Sequence, residues 1–159
     1  MLRKSRTARQ NQSHVSVYLR SDAYYLARSV QTTTGLWTLA GETSTTVATD
    51  SPLDLGEALL TITRRPAEVI PHPNQDEWSR HRQRSLGPIL SQARVRSWRA
   101  FEAGSTLVQV SRIGDEFQLT RMKRMPSRPD AWESDTTREL TLNAPDEVAL
   151  GTAVHSLSR

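Results

Sequence analysis

The chain has 159 residues, with 21 Lys and Arg against 17 Asp and Glu, a formal net charge of +4 and no cysteine. That length is one ordinary domain. The missing cysteines exclude disulfides, thiol nucleophiles and thiolate metal sites. No apolar run reaches the ~18 residues that a membrane-spanning helix needs.

The basic start, Met1-Leu2-Arg3-Lys4-Ser5-Arg6, has no apolar stretch behind it and does not read as a secretory signal; a soluble, cytoplasmic protein is expected. Hydrophobic residues make up 36% of the chain and mean hydropathy is −0.58, which predicts an adequate but not large core.

In chain order, residues 1–13 are polar and basic and predict a flexible arm ahead of a single domain spanning 14–159. His14 to Leu19 carries β-branched and aromatic residues and reads as a first strand. Residues 22–30, with Tyr24, Tyr25, Leu26 and Val30, fit either a strand or a short helix. Gly35 to Gly41 and Ser44 to Ala48 read as two short strands with a turn near Gly41 and Glu42.

Ser51-Pro52-Leu53-Asp54 is a strong helix start. Serine accepts a backbone N–H, proline fits the first helical position, and the aspartate favours the positive end of the helix dipole. Leu55, Leu59 and Ile62 form one apolar stripe, and Pro66 ends a helix of about 52–65. Residues 66–88 read mostly as connection, with a polar helical turn around Trp78. Pro88 opens a short helix, and Val95 to Phe101 follows as a compact turn.

Val108, Val110, Phe117 and Leu119 alternate with polar residues across Ile113-Gly114-Asp115, the pattern of a half-buried hairpin. Residues 123–137 read as a polar loop interrupted by Trp132, then Glu139 to Leu142 as a last strand. Pro145-Asp146-Glu147 starts a final helix. Its Leu150-Gly151-Thr152-Ala153-Val154 echoes Leu55-Gly56-Glu57-Ala58-Leu59, and a mid-helix glycine costs about 1 kcal/mol against alanine, so a close helix–sheet approach is expected at both. The fold class is α+β: a mainly antiparallel sheet with helices packed on one face.

Catalytic chemistry finds little support. His14, His72, His81 and His155 are scattered, with neither H-x-x-x-H nor H-E-x-x-H spacing. Asp76-Glu77, Asp115-Glu116 and Asp146-Glu147 each have a plain role at a helix start or turn. No phosphate-binding glycine loop, nucleotide-binding fingerprint or nucleophile elbow occurs. The expectation is a binding protein, not an enzyme, with no metal, no cofactor, no membrane and no small-molecule substrate.

Trp37 and Trp98 sit in apolar segments and are expected in the core. Trp132 lies among acids in Asp130-Ala131-Trp132-Glu133-Ser134-Asp135. It is open to two readings, a cover folded back on the sheet or an interface anchor. Asp130, Trp132, Glu133 and Asp135 are therefore the candidate partner-binding residues, suited to a basic partner. A separate reading takes Arg80, Arg82, Arg84, Arg94 and Arg96 as contacts for nucleic acid.

From Leu53 to the C-terminus the chain resembles the immunity proteins of bacterial contact-dependent growth inhibition systems. The resemblance rests on the Leu55-Gly56-Glu57-Ala58-Leu59-Leu60 helix, the Ser97-Trp98-Arg99-Ala100-Phe101 element before a Gly104-Ser105-Thr106-Leu107-Val108 strand, and the Leu150-Gly151-Thr152-Ala153-Val154 helix. It covers about two-thirds of the chain. It implies a non-catalytic antitoxin whose partner is the toxin domain of a secreted effector, often a nuclease, and it carries over no catalytic residue. Immunity proteins against basic nucleases are commonly acidic, whereas this chain is net basic.

Overall fold

A computed structural model describes residues 12–159. Among them seven strands form one sheet: β1 (Gln12–Arg20), β2 (Ala23–Thr32), β3 (Trp37–Ala48), β4 (Val69–Ile70), β5 (Ser105–Ile113), β6 (Glu116–Met125) and β7 (Arg128–Asn143). Four helices accompany them: α1 (Pro52–Thr63), α2 (Glu77–Ala93), α3 (Trp98–Ala103) and α4 (Glu147–Ser158). The order across the sheet is β3-β2-β1-β5-β6-β7 with every pair antiparallel, and β4 adds a short parallel pairing to β2. The class is α+β, as the alternation of the β5–β6 hairpin predicts.

Of the arm expected over 1–13, only Gln12 and Ser13 lie among the described residues, and both belong to β1. The ambiguous 22–30 stretch is strand. The turn expected at Gly41 and Glu42 is instead a bulge in one continuous strand. The β2–β3 register runs from Ala27↔Ser44 to Ser29↔Leu39, so Ala40 to Thr43 stand opposite Arg28 alone. Extra residues in one strand of a pair bend it without ending it.

Helices pack on both faces of the sheet, two on each, not on one. Strand alternation explains this: Val15 and Val17 of β1 point one way and Tyr18 the other, and both directions carry buried residues. On the first face α1 and α4 bury Leu55, Leu59, Leu150 and Val154 against Leu26, Val108, Val110, Phe117 and Leu119. On the second, α2 and α3 bury Ile89 and Phe101 against Tyr18, Tyr25 and Leu107.

Local signals at the helix starts act as expected. Ser51 Oγ accepts from Asp54 N at 3.2 Å, Ser97 Oγ from Ala100 N at 3.1 Å, and Asp146 Oδ1 from Ala149 N at 2.7 Å. Helix α1 ends at Thr63. The two glycines, however, serve helix–helix contact and not the expected helix–sheet approach. A Cβ on Gly56 would strike the backbone carbonyl of Glu147, and one on Gly151 the carbonyl of Pro52. The main chains of α1 and α4 touch there, with no room for a side chain.

Helix α2 departs most from expectation. It is continuous over Glu77–Ala93 and contains Pro88, where a short helix was expected to start. Proline leaves the Arg84 carbonyl without its helical donor and costs ~3 kcal/mol in a helix interior. Burial of Ser85, Leu86 and Ile89 holds the helix together across it. Its start is a reciprocal capping box: Glu77 N donates to Asn74 Oδ1 at 2.9 Å, and Asn74 N to Glu77 Oε2 at 3.0 Å. Arg94, in the left-handed conformation (φ 56°), ends it, with Val95 N donating to the Leu90 carbonyl at 3.1 Å.

Residues 123–137, expected as loop, complete β6 and open the 16-residue β7. The strand expected at Glu139 to Leu142 is the C-terminal end of β7; before it, β7 is mostly exposed and shows no two-faced alternation of apolar residues, the signal that marks other strands.

Candidate functional site, a groove at Arg82 and Trp98

The second face carries a concave surface lined by both of its helices. Helix α2 leans on β3, with Ser85 Oγ donating to the Leu39 carbonyl at 3.0 Å, while α3 packs on β1 and β5 through Phe101. Between the two helices three hollows of about 440, 610 and 730 Å³ meet at Arg82 and Trp98. Their floor is aromatic. Trp98 stacks on Phe101 with centroids 5.0 Å apart, and Tyr18 meets both rings edge-on at 5.4 and 5.3 Å. Burial, together with the charge of Glu102, pushes the Tyr18 hydroxyl well above the usual phenol range, so it stays neutral.

Trp98 is thus half-buried, one face on the core and its rim lining the groove, and Trp37 is half-buried as well, against His14 at 4.2 Å. Of the two tryptophans expected in the core, Trp98 packs against the core of the second face, and neither is fully buried. Trp78 closes the far end, its ring edge-on to His72 and His81 at 5.3 and 5.7 Å.

The four sequence candidates fall into unequal positions. Trp132 folds back on the second face. Its Nε1 donates to Glu102 Oε1 at 2.9 Å, and the Arg124 guanidinium lies 3.9 Å from its ring centroid. Asp130 is exposed and lines the groove beside Arg99 and Arg124.

Asp135 shares an adjoining hollow with Trp132, at a second bulge where residues 135–138 stand opposite Arg121. Its carboxylate is held below the usual range by hydrogen bonds from Thr137. Glu133 lies on the opposite side of β7 from Trp132 and pairs with Lys123 at 3.7 Å. What is an acidic run in sequence is therefore not an acidic patch in space. Antiparallel pairing sets Arg121, Lys123 and Arg124 of β6 against it.

Sequence reasoning missed the groove itself because Trp98 was assigned to the core and the arginines of α2 to a separate reading. The signal was present: Trp78 and Trp98 bracket a stretch rich in arginine, the composition of a wet, aromatic-anchored surface.

The groove contains a histidine and a carboxylate, but each is otherwise engaged. His81 Nε2 bonds to Thr38 Oγ1 at 3.2 Å, and Glu102 accepts from Trp132 and pairs with Arg124 at 3.5 Å. His155 Nδ1 bonds to the Tyr24 hydroxyl at 2.6 Å, and His14 to Ser111 Oγ at 2.7 Å. Among the described residues no three His, Asp or Glu side chains come close enough to hold a metal ion. Arg82, Arg96 and Arg99 line the groove without an ion pair among the described residues, so it presents their guanidinium donors to whatever enters.

The fold belongs to the class of single twisted antiparallel sheets clasped by a helix pair on each face. The sequence matches no protein-family model and no curated protein. In structure the chain is similar to a protein of unknown function from Neisseria meningitidis (9% identity, TM-score 0.76, 94% of each chain covered). It is also similar to a chain of a CdiA-CT/CdiI toxin and immunity complex from Yersinia pseudotuberculosis, at 12% identity, with a TM-score of 0.67 over 92% of this chain and 95% of that one. At these identities the likeness is one of fold.

Proposed function

We propose that the chain is a cytoplasmic immunity protein that binds and neutralises the C-terminal toxin domain, a nuclease, of a contact-dependent growth inhibition effector. The observation that carries this reading is the fold shared over nearly the whole chain with a member of a toxin and immunity complex. It is supported by a concave surface built of tryptophan rims and arginines without an ion pair among the described residues, the residue types enriched where proteins meet. The protein acts here as a blocking lid and performs no chemistry. Asp130 and Trp132 stand where a partner on the second face reaches them, and Asp135 and Glu133 at or beyond its margin.

Co-expression with the toxin domain of the neighbouring effector gene tests the reading. Growth rescue and co-purification of the pair are expected; a toxin that still kills, and elutes alone, overturns it.

One observation favours a second reading, binding of nucleic acid. Arg80, Arg82, Arg84, Arg94 and Arg96 are all exposed and none is in an ion pair among the described residues. That reading requires retardation of DNA or RNA in a gel that fades steeply as salt rises; no retardation at low salt removes it.

A further inference from the structure

The charges of the groove specify what enters it, on the reading that the partner is a toxin domain. Arg82, Arg96 and Arg99 point no guanidinium donor at any described side chain, and each offers five. Glu102 is already engaged by Trp132 and Arg124, which leaves Asp130 as the groove carboxylate without a partner among the described residues. The surface is net cationic, and its floor of Leu86, Leu90 and Trp98 is apolar.

A nucleic-acid strand presents phosphate at every step and fits such a site poorly, because Asp130 and Glu102 interrupt the positive field along its path. A protein segment with carboxylates at separate positions and an apolar side chain between them matches both the arginines and the floor.

The cleft in which a nuclease holds its substrate is cationic, since it binds phosphate, and would be repelled by these arginines. We propose that the groove between α2 and α3 receives an acidic, partly apolar segment of the toxin domain that lies outside the toxin's substrate cleft. The toxin is then blocked from the side by bulk, not by mimicry of its nucleic acid.

The test compares three forms of the full chain, each checked for an unchanged circular dichroism spectrum, against the toxin domain of the neighbouring gene and against a short DNA duplex. One is the unaltered chain. The second carries Arg82→Glu, Arg96→Glu and Arg99→Glu in the groove. The third carries Arg80→Glu, Arg84→Glu and Arg94→Glu, the same charge change at residues that do not line the groove.

The groove variant is expected to bind the toxin at least about tenfold more weakly, mainly through a slower on-rate, and the third variant close to normally. Equal weakening in both reduces the effect to net charge and overturns the proposal. Unchanged binding by the groove variant overturns it while leaving the immunity reading intact. Duplex binding lost in the groove variant makes the occupant nucleic acid and also overturns it. If the unaltered chain does not bind the toxin at all, both the immunity reading and this inference fail.

Discussion

On the first face of the sheet, α1 and α4 meet backbone to backbone at Gly56 and Gly151 and close over a dry layer in which Leu55, Leu59, Leu150 and Val154 have no exposed surface. On the second, α2 and α3 stand apart, and only a narrow layer around Phe101 and Ile89 is fully covered, with Trp98, Trp78 and the arginines left at the rim. Both faces use the same strands, so the difference comes from the helices. Small residues let one pair touch, while a proline-containing helix and a six-residue helix leave a furrow between the other. A protein of this size can keep one face for stability and leave the other incompletely filled, and an incompletely filled face is where a partner finds room.

The comparison can be broken most forcefully at Phe101. Its ring is fully buried at the centre of the second face, so Phe101→Ala should cost about 3–5 kcal/mol in a urea titration, as much as a core site of the first face. A loss below about 1 kcal/mol would mean that the second face has no true core.

Gly151→Ala tests the first face. The added methyl strikes the Pro52 carbonyl, and separating the two helices should cost about 2–3 kcal/mol despite alanine's better helix propensity.

Next in size is Glu102→Ala, which strands the indole N–H of Trp132 and frees Arg124. A loss of about 1–2 kcal/mol is expected, together with higher accessibility of Trp132 to a fluorescence quencher. The exposed Lys123–Glu133 pair, by contrast, should contribute no more than about 0.5 kcal/mol.

The smallest effect is a dependence on pH. Burial lowers the affinity of His14 for a proton in the folded chain, so the unfolded chain binds a proton more readily near its ordinary value of 6.5. Stability from this source is complete above about pH 6.5 and is lost as pH falls below it. Urea midpoints measured at pH 7.5 and 5.5 should differ in that direction, and His14→Gln should flatten the difference.

Sequence patterning made the first face legible in detail. The Ser51-Pro52 start, the Leu55-Leu59 stripe and the alternating valines of β5 are each local signals of a kind that packing reinforces. The second face was legible only in pieces. Pro88 reads locally as a helix start, yet burial of Leu86 and Ile89 carries α2 through it. β7 gave a strand signal only at Glu139 to Leu142, because both of its sides are polar over the rest of its length. The acidic run around Trp132 pointed to a surface that does not exist as such, since charge in space depends on which strand lies alongside, and the register of β6 supplies the opposing arginine and lysine. The resemblance behind the proposed function, too, lies only from Leu53 onward, in a likeness of motif and order.

The central pairing of the sheet joins β1 to β5, so that His14 lies opposite Ser111 and Val17 opposite Val108. Residues 21–104 must be synthesised between the two halves of that one ladder, and α1 finds its partner only in α4, after β7. Neither half contains a closed layer, so a truncated or still-emerging chain has no shelter for its valines and leucines. Folding should therefore be slow and all-or-none, with the long loop closures setting its rate, and any activity of this molecule begins only once α4 has been made.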